Sequence, residues 1–118
     1  MVDSAIKSKS FDFASSIIKV YKHLVTDKKE FVLSKQLLRS GTSIGANVTE
    51  AFNGQSKRDF LSKMYIAFKE ADESRYWIEL LIDGEYLDVK NGEKILNQCR
   101  EVCRILNSII KTTKAGIK

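Results

Sequence analysis

Residues 36–54 read Gln-Leu-Leu-Arg-Ser-Gly-Thr-Ser-Ile-Gly-Ala-Asn-Val-Thr-Glu-Ala-Phe-Asn-Gly, and this stretch decides the fold. The chain is 30% charged, so a stretch of this length should carry about six charges. It carries only Arg39 and Glu50. Wound onto a helix of about 3.6 residues per turn, it separates into three faces. Leu37, Ile44, Val48 and Ala51 make an apolar stripe; Gln36, Arg39, Ser40, Ser43, Asn47 and Glu50 make a polar one. Thr42, Gly45, Ala46 and Thr49 make a third face of small, uncharged residues. A helix with one side in water ordinarily has a charged outer face. This helix is therefore expected to be covered on more than one side, which a chain of 118 residues does not easily do alone.

Outward from this segment the same helical period recurs. A first helix is predicted over about 10–26, where Phe13, Ile17, Val20, Tyr21 and Leu24 repeat at three- and four-residue spacing, with Phe11, Ile18 and Val25 beside them. Asp27, followed three residues later by Glu30, resembles a capping box that opens the second helix, over about 28–53. Asn53-Gly54 supplies a left-handed stop. Ser56 starts a third helix over about 57–83, with Phe60, Met64, Ala67, Ala71, Ile78 and Ile82 as its core stripe and Gly84 at its end. The fourth helix covers about 89–113, with Ile95, Cys99, Val102, Leu106 and Ile109 as its seam. No strand alternation or hairpin turn interrupts this pattern. Four such helices joined by short breaks predict an all-α, antiparallel up-down-up-down four-helix bundle, one domain over 1–118.

Composition bounds the function. Proline is absent, which permits long uninterrupted helices. No apolar run approaches the ~20 residues of a membrane span, and residues 1–10 hold no apolar signal-peptide core, so a cytoplasmic location is expected. Cys99 and Cys103, four apart on a helix, read as reduced core thiols: a bridge between adjacent turns would close almost no loop. Zinc needs about four ligands, and the only histidine, His23, is distant in sequence, so no metal or other cofactor is expected. A di-iron bundle needs Glu-x-x-His motifs, and His23 follows no Glu at that spacing. Ser43 lacks an activating base, and Gly41–Gly45 lacks the Lys-Ser/Thr ending of a phosphate loop. The expectation is a protein that is not an enzyme.

Two surfaces stand out instead. On the third helix, Ile66, Glu70, Glu73 and Trp77 form a stripe displaced from the core, with Tyr76 and Leu80 near it, as expected of a subunit interface. Arg39, on the polar line with Ser43, Asn47 and Glu50, should pair with Glu70 or Glu73 of its own or a neighbouring subunit, because an unpaired buried guanidinium is very costly. That line reads as an interface or buried polar network, with ligand binding as the competing role. The second surface is basic. Net charge is +5, and residues 87–118 hold seven Lys/Arg against three Asp/Glu. Lys90, Lys94, Arg104 and Lys111 fall on one stripe of the fourth helix opposite its apolar seam, interrupted by Glu101. Such a stripe can neutralise phosphates without reading bases.

Together these residues resemble the four-helix bundle proteins of the 23S rRNA intervening-sequence family, also called ribosomal-protein-like. The resemblance rests on Gln36-Leu37-Leu38-Arg39-Ser40 followed by Ser43-Ile44-Gly45-Ala46-Asn47-Val48-Thr49-Glu50. It extends through Lys57-Arg58-Asp59-Phe60, Ala67-Phe68-Lys69-Glu70-Ala71, Trp77-Ile78-Glu79-Leu80-Leu81 and Tyr86-Leu87. Where many members continue Glu-Gly, this chain has Glu50-Ala51-Phe52-Asn53-Gly54. The resemblance implies a homopentamer with no established enzymatic activity, and a relative that serves diversity-generating retroelements by binding nucleic acid and a reverse transcriptase. A ring of five chains, each +5, would carry about +25, a field that attracts RNA or DNA, including rRNA. The alternative is an adaptor ring that binds a partner protein and no nucleic acid.

Overall fold

The computed structural model describes residues 2–117, with side chains over 5–117. Its helices are α1 (Val2–Thr26), α2 (Leu33–Phe52), α3 (Lys57–Asp83) and α4 (Val89–Ala115). Consecutive helices pack side by side and α4 closes back onto α1, giving an antiparallel four-helix bundle that measures 49 × 21 × 20 Å. Each helix contributes one apolar seam. Ile6, Phe13, Ile17 and Leu24 come from α1; Leu37, Ile44, Val48 and Ala51 from α2. Met64, Ala67, Ala71, Ile78 and Leu81 come from α3; Leu96, Cys99, Val102, Leu106, Ile109 and Ile110 from α4.

Several local expectations are corrected. Helix α1 begins at Val2 rather than near residue 10, because Ile6 and Ser10 carry the buried seam two turns further back. Val20 and Tyr21 are only partly buried, as are Phe60, Ile82, Ile95 and Cys103. Helix α2 begins at Leu33, not 28, and Asp27 does not cap it; Asp27 instead bonds His23 Nδ1 at 2.8 Å. The cap is Glu30, whose carboxylate accepts from the backbone N–H groups of Val32, Leu33 and Ser34 at 3.2, 3.0 and 2.7 Å. Nor is Asn53-Gly54 left-handed: Asn53 has φ −96°, and the chain leaves α2 through Asn53 N–H to Glu50 O and Gly54 N–H to Ala51 O. Left-handed residues lie instead after α1, at Lys29 with φ 56°, and after α3, at Glu85 with φ 65°. There Glu85 N–H bonds Ile82 O and Tyr86 N–H bonds Leu81 O, the Schellman arrangement built without glycine in its usual place. Ser56 caps α3 as expected, accepting from Asp59 N–H at 3.0 Å.

The Glu30 cap carries a pH signature. Burial alone would raise the Glu30 carboxyl, but the three backbone donors and the Ser34 side chain outweigh it and hold its pKa below the ordinary 4.5. A depressed folded-state pKa stabilises above the unfolded value, and that gain disappears as pH falls through the folded one. Glu30→Ala should therefore cost about 1–2 kcal/mol near neutrality and progressively less below about pH 4. Urea unfolding at several pH values checks this; a cost independent of pH would mean that the ionised form is not what caps α2.

Candidate assembly and nucleic-acid surfaces

The polar line of α2 lies along its seam with α3. Arg39 donates to Glu70 Oε2 at 3.0 Å and to Glu73 Oε2, and Trp77 Nε1 donates to the same Glu73 oxygen at 2.9 Å. The Trp77 indole, together with Arg39 and despite partial burial, holds the Glu73 carboxyl below the usual carboxylate range. Arg39 thus finds both candidate glutamates within its own chain. It is not buried: its side chain is 51% exposed, against 19% for Glu70 and 35% for Glu73.

Ser40, read from sequence as part of this polar face, is buried in the core. It meets Ser74, which donates to Glu70 O at 2.8 Å and lies 2.9 Å from the Ser40 hydroxyl. Ser74 does not stand in the core stripe read from the sequence, although its helical spacing between Ala71 and Ile78 places it there. Ser43 donates to Ser40 O and Asn47 to Ser43 O, at 3.2 and 2.8 Å, so both satisfy themselves on their own helix. Glu50 pairs with Lys63 of α3 at 2.8 Å.

Because the Arg39 cluster is half in water, its expected contribution falls from that of a buried pair to that of a surface network. Arg39→Ala should cost about 1 kcal/mol. Double-mutant cycles by chemical denaturation should couple Arg39 to both Glu70 and Glu73. Strict additivity with both would mean that the cluster contributes nothing.

The small-residue face is different in kind. Thr42 and Thr49 donate to Leu38 O and Gly45 O at 2.7 and 2.8 Å, so their hydroxyls are spent on the helix and their methyls remain outward. Phe11 of α1, 73% exposed, stands beside Thr42, Gly45, Ala46 and Thr49 across a shallow furrow, and Ile18 is exposed further along α1. Lys7 also lines the furrow, its ammonium 4.4 Å over the Phe52 ring, so the α1–α2 face is one of small and apolar residues flanked by a single cation, and among the described residues no buried side-chain polar atom lacks a hydrogen bond. Across the bundle, α3 exposes Tyr65, Ile66 and Tyr76. Trp77 lies at the edge of this patch, partly buried and edge-to-face with Tyr76 at a ring separation of 5.2 Å.

On α4, Lys90, Lys94, Arg104 and Lys111 are all exposed. Among the described residues, Lys90, Lys94 and Lys111 form no ion pair, and Arg104 reaches Glu101 only at 4.0 Å. Glu101, the acid that interrupts the stripe, is met by Lys9 of α1 at 3.4 Å, a partner that α4 alone could not reveal. Beside the stripe, α1 and α4 part into a groove of about 740 Å³ whose lining includes Lys19 and His23 from α1 and Asn91, Lys94 and Gln98 from α4.

Other chemistry has little to stand on. Cys99 is buried with its thiol 3.2 Å from Ala71 O, and Cys103 is partly exposed; both are free. The neighbouring Cys103 sulfur and burial push the Cys99 thiol up. Among the described residues no three His, Cys, Asp or Glu side chains are placed to hold a metal ion, and no helix is long and apolar enough to cross a membrane.

Comparison with known proteins places this geometry. No curated protein matches the chain. A crystal structure of a protein with unknown function from the S23 ribosomal protein family of Bacteroides thetaiotaomicron VPI-5482 superposes with a TM-score of 0.93 at 53% identity, covering 94% of this chain and 99% of that one. The family profile described as 23S rRNA-intervening sequence protein matches residues 2–108. With the landmark residues of α2 and α3 inside that span, the chain belongs to the 23S rRNA-intervening sequence protein family.

Proposed function

We propose that the protein is a non-enzymatic, cytoplasmic homo-oligomer that binds RNA or DNA through the exposed basic face of α4. The observation that carries this reading is the electrostatic state of that face. Lys90, Lys94 and Lys111 have no carboxylate partner among the described residues, while Lys9 offsets Glu101 and Arg100 engages Glu93, the two acids of α4 beside them. Cations without internal partners are the ones free to displace counterions from a phosphate backbone. In a closed ring, five-fold by family resemblance, the stripe is repeated around a symmetric assembly. Membership among 23S rRNA-intervening sequence proteins makes RNA the first ligand to try.

Fluorescence anisotropy tests this. Binding at about 50 mM salt should weaken steeply by about 200 mM. Reversing Lys94 and Arg104 to Glu should cost at least about tenfold for every sequence tried, with the oligomer intact. No binding at low salt, or indifference to the reversals, removes the reading. A second reading, a protein-binding adaptor, is supported by the apolar end of the bundle, where the α1–α2 and α3–α4 connections expose Phe31, Val32, Tyr86 and Val89. Co-purification of a protein partner that survives nuclease treatment would favour it.

A further inference from the structure

The exposed face of α4 and the groove beside it suit different forms of nucleic acid. A convex helix face can meet phosphates of a duplex or a single strand equally well. The groove offers something that a duplex cannot use. Its floor includes Val20, Leu87 and Ile95, and its walls bring Lys19 of α1 and Lys94 of α4 to opposite sides. The Ser16 hydroxyl and the Gln98 amide also line it, and neither makes a hydrogen bond within the chain among the described residues. A volume of about 740 Å³ is within the range of pockets that enclose small ligands. An apolar floor rewards a base only when its face is unstacked, and free amide and hydroxyl groups reach its Watson–Crick edge only when that edge is unpaired. In a duplex both are already occupied.

We propose that the α1–α4 groove takes unpaired nucleotides of a single strand, their bases against Val20, Leu87 and Ile95 and the adjoining phosphates between Lys19 and Lys94. The inference rests on the nucleic-acid reading above and adds to it a site and a strand preference. Charge complementarity selects the occupant. Lys19 and Lys94 form no ion pair among the described residues, and Asp88, the acid at the groove, is engaged in capping α4 through Asn91 N–H at 3.1 Å. The groove also lies between α1 and α4, away from the small-residue α1–α2 face and the aromatic patch of α3, so assembly through those two surfaces leaves it open.

The test uses labelled RNA and DNA strands of about twelve nucleotides, each alone and annealed to its complement, titrated with the full chain at low salt. Single strands should bind at least about tenfold more tightly than duplexes of the same sequence. Ser16→Leu and Gln98→Leu fill the groove from opposite walls, alter no charge and add no aromatic face on which a base could stack. Each should abolish the single-strand preference and leave duplex affinity unchanged. Thermal unfolding and gel filtration identify any variant that fails to fold or assemble, and the variant from the other wall then gives the same reading. Equal affinity for single strands and duplexes, or groove fillers without effect while Lys94→Glu with Arg104→Glu still weakens binding, would overturn the groove assignment and leave the proposed function standing. Absence of binding by any strand would overturn both.

Discussion

Ile17→Ala should destabilise the protein by about 2–5 kcal/mol, and Gly41→Ala by about 1–3 kcal/mol, yet the double variant should lose clearly less than the sum. Ile17 is fully buried in the α1 seam. Gly41 faces it from α2, so close that a Cβ there would lie 2.8 Å from Ile17 Cγ1 and 3.0 Å from Cγ2. Truncating Ile17 opens a cavity; adding a methyl at Gly41 overfills the same place. Each defect is relieved by the other, which is the condition for strong coupling. Equilibrium unfolding of the four proteins in the cycle measures it. Additive losses would mean that α1 and α2 can separate freely at Gly41 and that the glycine is not there for close packing.

This pair also marks how far the sequence could be read. The α2 apolar stripe of Leu37, Ile44, Val48 and Ala51 was legible because each member lies at helical spacing among residues of another kind, and all four are buried. The bundle followed from such stripes, and the family resemblance from the landmark residues Gln36–Ser40 and Ser43–Glu50. The start of α1 was hidden because the polar residue Ser10 occupies the seam position between Ile6 and Phe13 and breaks the apolar period there. Ser40 looked like surface because its polarity was visible and its partner, Ser74, belonged to another helix. The Arg39 pairing was foreseeable from charge alone, whereas its exposure depends on how far α2 and α3 sink together, which no local pattern encodes. Likewise Asp27 and Glu30 are both carboxylates near a helix start; only the path of Lys29, at φ 56°, turns Glu30 toward the free N–H groups.

The candidate surfaces were legible in part for the same reason. Lys90, Lys94, Arg104 and Lys111 share a stripe of one helix, so spacing sufficed to group them. Lys9, Lys19 and the groove come from α1, and only the closure of α4 onto α1 brings them to that stripe. The interface stripe of α3 was read through Ile66, Glu70, Glu73 and Trp77, the last contributing its indole. That indole is instead bonded to Glu73, and the freely exposed members of the patch are Tyr65, Ile66 and Tyr76. Trp77→Glu would therefore disturb the Arg39 cluster as well as any contact between subunits, and it makes a poor probe of assembly.

Ala46→Glu and Tyr76→Glu should each reduce the proposed oligomer to monomer at micromolar concentration, and an equimolar mixture of the two should form a heterodimer. Ala46 lies in the small-residue α1–α2 face and Tyr76, 53% exposed, in the α3 patch, so the two are separate surfaces of one bundle. Two different patches that meet each other make a head-to-tail contact, and such contacts close into rings. A glutamate at either position buries a charge at every junction, at a cost of several kcal/mol each. In the mixture, the Ala46→Glu chain keeps an intact α3 patch and the Tyr76→Glu chain keeps an intact α1–α2 face. One sound junction can therefore form, and every further addition meets a spoiled surface. Both positions are exposed in the single bundle, so the isolated variants should fold, which far-ultraviolet circular dichroism checks. Light scattering coupled to gel filtration distinguishes the outcomes against the 13.4 kDa chain. A mixture that stays monomeric would rule out the pairing of these two faces. Wild-type protein that is itself monomeric would remove assembly, and with it the multiplication of charge that makes a +5 chain an effective ligand for nucleic acid.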